Sequence, residues 1–445
     1  MKFLDWLRPG IKVKRWILFG IFGVLLIAFG FTELAFHRAY YFYYKVFYIF
    51  LNITGIFVLY VSATEVMRGI IALINKGYIK VSLDSQKIEN LIYEKRLLIK
   101  GPKIVVIGGG TGLSTMLRGL KYYTSNITAI VTVADDGGGS GDLREDLGIL
   151  PPGDIRNCIL ALADMEPLME NLLQYRFTDG RLKNQSFGNL FLAAMDGISD
   201  NFEDAVQKMS SVLAVTGKVV PVTLENMRLK ALLENGSIVE GESQIPEEAL
   251  KQNSKIKKLM IEPEDAEPLK EAITAIREAD AIIMGPGSLY TSVLPNLLVK
   301  KIASNVRRSS ALKIYISNIM TQPGETDGFK VSDHLKTLYK HCGRDIVDYV
   351  IANVQKLPKN LSPKYKEEGS EIVALDKDVI NKMGIEIIEA NLINYTNDVV
   401  RHNHEELARV IMTTVMEKSL LFDKKKIIEY MYLSQRLKEE SNKKI

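Results

Sequence analysis

Apolar positions divide this chain into two parts near residue 100. Before that point lie two long apolar runs, residues 16–36 and 46–63, in which Glu33 is the one charged residue. Each run is close to the length of about 20 residues that crosses a bilayer as a helix. After that point, short β-branched runs alternate with stretches whose apolar residues recur at helical spacing. The pattern predicts two transmembrane helices followed by an α/β domain.

The two apolar runs predict a helical hairpin in a membrane. The connection, roughly residues 37–45, is short, and basic residues flank both outer ends, at positions 12–15 and 68–80. The positive-inside rule places both flanks in the cytoplasm. We therefore expect a protein of the cytoplasmic membrane with two spans, attached to the inner membrane through residues 16–65, whose main domain faces the cytoplasm. A buried hairpin in a soluble protein is the alternative.

Four segments follow from these patterns. They are a transmembrane hairpin (1–66), a juxtamembrane amphipathic connector (67–102), a main domain (103–420) and a charged C-terminal helix or tail (421–445). The connector carries Ile88, Leu91 and Ile92 at helical spacing, so it could lie on the membrane or pair with a second copy in a homodimer. In the main domain, alternating strands and helices predict a Rossmann-like fold, a mostly parallel sheet with helices on both faces.

Charge and cysteine content exclude two classes of function. The first 100 residues hold 14 Lys and Arg against 6 Asp and Glu, whereas the whole chain has a net charge of +4, so the main domain is slightly acidic. Nucleic acid is therefore not an expected partner, because it needs a basic face. Cys158 and Cys342 lack metal-ligand spacing and are expected to be separate thiols.

The stretch around which the main domain is organised begins with an apolar run at residues 104–107. A glycine turn, residues 108–112, follows it, and then a predicted helix from Leu113 to about Tyr123. Such a turn lets a phosphate approach backbone N–H groups at the positive end of a helix. The turn is not a strict G-x-G-x-x-G, because Leu113 stands at the third glycine position, and the chain has no P-loop motif. A tight structural turn is the alternative.

A second apolar run, residues 127–133, ends in Asp135 and Asp136, and a glycine cluster at 137–141 follows. We expect this cluster to form a flexible turn and not to lead directly into a helix. One carboxylate at such a strand end can bind ribose, and two adjacent ones can hold a Mg²⁺ ion that bridges a diphosphate. The sequence predicts a ligand or metal site here, and a solvated acidic turn is the alternative.

Polar residues at later strand ends and helix starts extend the candidate site. Arg156 and Arg401 are candidate phosphate contacts, with ion pairs at helix starts as the alternative. A second glycine turn follows the strand at 281–284, and a helix is expected over 292–303. Two such turns suit a ligand with separate phosphate and sugar ends. The full set of expected ligand-binding residues is Gly109, Gly110, Thr111, Gly112, Asp135, Asp136, Gly137, Ser140, Arg156, Asn157, Gly188, Asn189, Gly285, Gly287, Ser288, Asn318, Thr321, Gln322 and Arg401.

These motifs resemble the YvcK family of gluconeogenesis factors, part of a wider group similar to CofD, the 2-phospho-L-lactate transferase. The stretches that carry the resemblance are IVVIGGGTGLSTMLRGLK, ITAIVTVADDGGGSGDLRE, GILPPGDIRNCILALA, FGNLFLAAM, ADAIIMGPGSLYTSVLPNLLV and YISNIMTQPGETDG. They fall between residues 103 and 415. Where the family pattern usually reads Asp-Asp-Gly-Gly-Ser-Ser-Gly, this chain has Gly139 in place of the first serine. The predicted hairpin is an addition to the usual soluble architecture.

The resemblance implies a Rossmann-like domain that binds a nucleotide or nucleotide sugar, notably UDP-N-acetylglucosamine or UDP-glucose. It also implies a role in cell shape and wall synthesis on gluconeogenic carbon, with cell-wall synthesis proteins as partners. Two hypotheses follow. The first is a membrane-tethered regulatory binder without catalysis, since no nucleophile with an attendant histidine and acid is evident. The second is a CofD-like, metal-dependent phospholactyl-type group transferase. An NAD dehydrogenase is a weaker third. Mg²⁺ with a UDP-sugar or other nucleotide is the one cofactor expected.

Overall fold

The computed structural model describes residues 13–36, 42–77, 98–99, 101–164, 167–357, 362–396 and 399–420. The chain divides into two compact units, residues 1–94 and 95–445. Most of the predicted connector helix, the outer turn of the hairpin at 37–41 and the tail beyond residue 420 lie outside the described residues. The predicted segment boundaries therefore stay predictions.

The first unit contains two antiparallel helices, α1 (Val13–Phe36) and α2 (Phe42–Gly77). Their backbones approach closely at two glycines, because a β-carbon at Gly23 would lie 3.0 Å from the carbonyl oxygen of Gly55. Small residues at such a crossing are typical of helices packed in membranes. Both helices are long and apolar enough to span a membrane, over Leu18–Ala35 and Phe42–Val66, and only 17% and 11% of these windows are buried. The predicted pair of apolar helices is confirmed.

The second unit is built on a seven-stranded sheet and two small sheets. The described strands are β1 Ile104–Gly108, β2 Ile127–Val131, β3 Lys218–Pro221, β4 Arg228–Leu233, β5 Ile238–Glu240, β6 Ile256–Glu262, β7 Ala281–Met284, β8 Leu312–Ile316, β9 Tyr349–Asn353, β10 Glu386–Ala390, β11 Ile393–Thr396 and β12 Val399–His402. The described helices are α3 Gly110–Leu120, α4 Gly138–Leu147, α5 Gly153–Leu162, α6 Pro167–Gln174, α7 Phe187–Gly197, α8 Phe202–Val212, α9 Gln244–Lys251, α10 Lys270–Glu278, α11 Leu294–Leu298, α12 Ile302–Arg308, α13 Val331–Cys342, α14 Ser362–Glu367, α15 Lys377–Lys382 and α16 His404–Leu420.

The main sheet is parallel throughout, with the order β10-β9-β8-β7-β1-β2-β3. From β1 the chain adds strands on one side through β2 and β3, and from β7 on the other side through β8 to β10. Right-handed crossovers in opposite directions place helices on opposite faces, so the predicted Rossmann-like α/β fold is confirmed. The order reverses between β1 and β7, and ligands of such sheets bind outside the strand ends at this switch point.

Two local predictions were wrong, and four strands were not predicted. The second glycine cluster does not form a free turn: α4 begins at Gly138, directly after the acidic pair. The first N–H groups of a helix have no partner within the helix, so glycines there cost less than in its middle. The predicted helix over 292–303 is interrupted, because a π-helical turn, Leu289–Val293, precedes α11 and Lys301 has a left-handed φ of 65°. The unpredicted strands are β4 and β6, which pair with each other in the antiparallel sheet β5-β4-β6, and the two strands of the hairpin β11-β12.

Candidate functional site

A cavity of about 390 Å³ lies at the switch point of the main sheet. It is formed by the turns after β1 and β7, the loop after β8, and β12. Its lining residues are Gly109, Gly110, Thr111, Gly112, Thr115, Pro286, Gly287, Ser288, Thr291, Ser292, Asn318, Ile319, Met320, Gln322, Val400, Arg401 and His402. Nine predicted ligand-binding residues are among them: Gly109, Gly110, Thr111, Gly112, Gly287, Ser288, Asn318, Gln322 and Arg401. Cavities of this size suit small molecules.

The turn after β1 requires glycine for two reasons. Gly110 has a left-handed φ of 67°, which other residues rarely adopt. A β-carbon at Gly112 would lie 2.6 Å from the carbonyl oxygen of Pro286, so the two turns can touch only because this side chain is absent. Since α3 begins at Gly110, the backbone amides of its first turn border the cavity, and the positive end of the helix favours an anion there.

Arg401 supplies the positive charge of the cavity. It lies on β12, is exposed, and is the one lysine or arginine among the lining residues. Its guanidinium makes no hydrogen bond or ion pair with any residue in the described part of the chain. A guanidinium in this state is suited to a phosphate oxygen.

Two carboxyl groups lie behind the turn after β7. The Ser288 hydroxyl donates to the buried Glu325 carboxylate, and burial raises the pKa of Glu325 to about 7. The Thr291 hydroxyl is hydrogen-bonded to Glu242. Burial and the charge of Asp135 raise the pKa of Glu242 to about 8. Because these pKa values exceed the unfolded values near 4, the folded state binds these protons more tightly, and its stability falls as the pH rises toward 8.

The acidic pair after β2 divides into two roles. Both carboxylate oxygens of Asp136 accept backbone hydrogen bonds, from Glu242 N at 2.8 Å and Ser243 N at 2.9 Å. Asp135 accepts from Gly137 N at 3.0 Å and from the Ser140 hydroxyl, and burial raises its pKa. Neither carboxylate lines the cavity. Each Asp136 oxygen accepts one hydrogen bond and keeps a further lone pair, so a metal role for Asp135 and Asp136 stays a prediction. The described residues hold no group of three His, Cys, Asp or Glu placed for a metal ion.

A third group of predicted residues forms a buried network next to the cavity. Arg156 donates to the Ser186 hydroxyl at 2.9 Å and to Asn157 Oδ1 at 2.8 Å, and Asn189 Nδ2 lies 3.5 Å from the Ser140 hydroxyl. Gly188 leaves room for the Arg156 side chain, whose Cδ would lie 2.6 Å from a β-carbon there. These contacts also fit the alternative in which the residues only cap helices and pair with each other. A ligand-binding role for this group therefore stays a prediction.

Asp154 connects that network to the first glycine turn. Its carboxylate accepts a hydrogen bond from the Gly110 N–H, and burial together with the charge of Asp135 raises its pKa to about 7. Of the remaining predicted residues, Gly285 has a left-handed φ of 81° and Thr321 accepts from Glu371 N at 2.9 Å. Both lie behind the lining and support it.

The predicted set lacks three acidic residues of the site. Asp154 stands two residues before Arg156, which was predicted. Glu325 lies in the loop that carries Gln322, so its position could have raised it as a candidate. Glu242 lies in the loop between β5 and α9 and has no local motif that would have marked it.

Comparison with known proteins assigns the family. The profile of "2-phospho-L-lactate transferase CofD" matches residues 104–393. The "Putative gluconeogenesis factor" of Clostridium acetobutylicum is 65% identical over 440 residues, 99% of this chain and 98% of the relative. This chain belongs to the gluconeogenesis factor family, within the CofD-like proteins. The predicted family resemblance is confirmed.

Other gluconeogenesis factors show which part of the chain is shared. The "Gluconeogenesis factor" of Bacillus subtilis is 49% identical over 317 residues, 71% of this chain and 99% of the relative. A crystal structure of a UPF0052 family member from Bacillus halodurans has a TM-score of 0.67 and 48% identity, and it covers 69% of this chain and 98% of that one. The match takes up 99% of the Bacillus subtilis relative and 98% of the solved chain, so the unmatched part of each is too short for a hairpin of this kind. The Clostridium relative matches 99% of this chain, which includes the hairpin.

Proposed function

We propose that this chain is a membrane-tethered regulatory protein that binds a nucleotide sugar of the UDP-N-acetylglucosamine or UDP-glucose type. One observation carries the proposal: a single cavity at the switch point joins helix-start amides and Arg401, which suit phosphate, with neutral hydroxyl and amide groups, which suit a sugar or a base. The name of the family, gluconeogenesis factor, supports a role in carbon use. Cell-wall synthesis proteins and a second copy of the chain are the partners that we propose.

Titration calorimetry of the full-length protein in detergent tests the proposed ligand. We expect saturable binding of UDP-glucose and UDP-N-acetylglucosamine, because the cavity offers partners for both phosphate and hydroxyl groups. Each ligand is titrated with and without Mg²⁺, which also measures any contribution of the ion. Absence of binding at millimolar concentrations of both ligands would refute the proposal.

The titratable carboxyl groups behind the turn after β7 favour another candidate function, a CofD-like transfer of a phospholactyl-type group. Carboxyl groups with pKa values near neutrality, such as those of Glu242 and Glu325, can exchange protons at working pH. The matched family profile is named for a transferase. Incubation with a lactyl-diphospho-nucleoside and an acceptor alcohol separates the two candidates. Transfer of the phospholactyl group to the alcohol, with release of the nucleoside monophosphate, supports a transferase, and recovery of both compounds intact supports a binder.

The hairpin is the proposed anchor, with residues 16–65 in the cytoplasmic membrane and the main domain in the cytoplasm. Removal of residues 1–80 is expected to release a soluble fragment that still binds UDP-glucose, since relatives without this segment match the rest of the chain. Sedimentation of membranes at alkaline pH checks this, with the full-length protein as the control that stays in the membrane pellet. A fragment that remains in the pellet, or that no longer binds, would contradict the anchor role.

A further inference from the structure

We propose that the two turns of the cavity bind opposite ends of one ligand: the turn after β1 takes phosphate, and the turn after β7 takes sugar hydroxyl groups. This inference rests on the proposed function and adds the orientation of the ligand.

The turn after β1 offers donors. Thr111 and Gly112 belong to the first turn of α3, whose N–H groups have no partner within the helix. The strand β12, which carries Arg401, packs against α3, so the guanidinium belongs to the same side of the cavity. N–H groups and a guanidinium donate and cannot accept, so this side is complementary to phosphate oxygens.

The turn after β7 offers acceptors. The Ser288 hydroxyl donates a hydrogen bond to Glu325, and its oxygen already accepts one from Thr291 N at 3.0 Å. With the proton engaged, this oxygen can only accept a hydrogen bond from a ligand. In the loop after the neighbouring strand β8, Asn318 donates through Nδ2 to Gln322 Oε1 at 3.2 Å, and its buried Oδ1 has no partner among the described residues. A ligand group that donates, as a sugar hydroxyl does, therefore complements the oxygens of Ser288 and Asn318.

Negative charge strengthens the same assignment. Glu325 and Glu242 lie directly behind Ser288 and Thr291, and the backbone hydrogen bonds from Glu242 and Ser243 to Asp136 hold the Glu242 loop in place. Gly241, which precedes Glu242, has a left-handed φ of 99° that fits this tight loop. Above about pH 8, where both groups are ionised, they would repel a nearby phosphate, whereas they strengthen a hydrogen bond donated by a hydroxyl.

Binding of UDP and UDP-glucose to the full-length protein in detergent tests the orientation. The variants are Glu325→Gln and Glu242→Gln, and the matched control is Glu247→Gln, an exposed glutamate on α9. At about pH 9, above the pKa values of both groups, each of the two test variants is expected to weaken UDP-glucose about tenfold, because the ionised acceptor behind the hydroxyl is lost. UDP, whose phosphates occupy the other turn, is expected to bind within about twofold of the unaltered protein. The control changes neither affinity.

The ratio of the two affinities distinguishes a hydroxyl contact from a structural role. Equal weakening of UDP and UDP-glucose, with a lowered melting temperature, would overturn the inference in favour of a structural role for these glutamates. Weakening of UDP alone would reverse the orientation and overturn it as well. If the unaltered protein binds UDP and UDP-glucose with equal affinity, the glucose makes no favourable contact, and the orientation fails while nucleotide binding stands. If it binds neither ligand, the proposed function itself fails.

Discussion

The Arg401→Gln variant is expected to bind UDP between about tenfold and about a hundredfold more weakly than the unaltered protein. A hydrogen bond to a charged group contributes about 1.5–3 kcal/mol, and Arg401 is the one lysine or arginine that lines the cavity in the described part of the chain. UDP-glucose is expected to lose affinity by the same factor, because both ligands carry the diphosphate. Calorimetric titration of both ligands measures the effect.

Arg308→Gln is the matched control for this variant. Arg308 is also exposed, lies at the end of α12 and does not line the cavity, so its loss changes the net charge equally without removing a contact. We expect its affinity for UDP to stay unchanged. Equal weakening in both variants would indicate a general electrostatic effect, and unchanged affinity in Arg401→Gln would place the phosphate elsewhere.

Gly119→Ala is expected to destabilise the main domain by about 3 kcal/mol. Gly119 lies on α3 where that helix contacts the start of α16, and a β-carbon there would be 2.8 Å from Ala408 Cβ and closer still to the carbonyl oxygen of His404. The backbone of α16 would have to shift to admit a methyl group. Thermal unfolding of the full-length protein is expected to show a melting temperature lower by several degrees.

Gly197→Ala separates this clash from the general effect of replacing glycine. Gly197 is the last residue of α7, and a β-carbon there would have nothing within 4 Å. Alanine is the better helix former, so this control is expected to be neutral or slightly stabilising. If both variants unfold at the temperature of the unaltered protein, α3 and α16 tolerate separation and their contact is not tight.

The main sheet could be predicted because its strands are short buried runs, each followed by glycine or polar residues. Strands β1 and β7 show this most clearly, and the rule that ligands bind beyond parallel strand ends then located the cavity. The small sheet was missed although β4 alternates, with Leu229, Ala231 and Leu233 buried and the residues between them less so. Arg228 and Lys230 point away from the buried face, so the segment does not read as a continuous apolar run even though one face of the strand is apolar.

The chemistry behind the cavity could not be predicted in the same way. Glu242 and Glu325 are separated by more than eighty residues from each other, and only the fold brings them to neighbouring hydroxyl groups. Asp136 was expected to face a ligand, but the partners that engage it are backbone N–H groups, which every residue except proline has and which no sequence pattern displays. Side chains that serve the backbone of a distant loop therefore escape motif analysis.

The small antiparallel sheet bears on how the proposed specificity can be altered. Residues 228–262 form one excursion between β3 and β7, and the loop after β5 brings Glu242 to Thr291 behind the turn after β7. The turn after β1 draws on β1, α3 and β12, none of which belongs to that excursion. In the proposed orientation, substitutions in this segment alter the surroundings of the sugar and leave the phosphate contacts as they are.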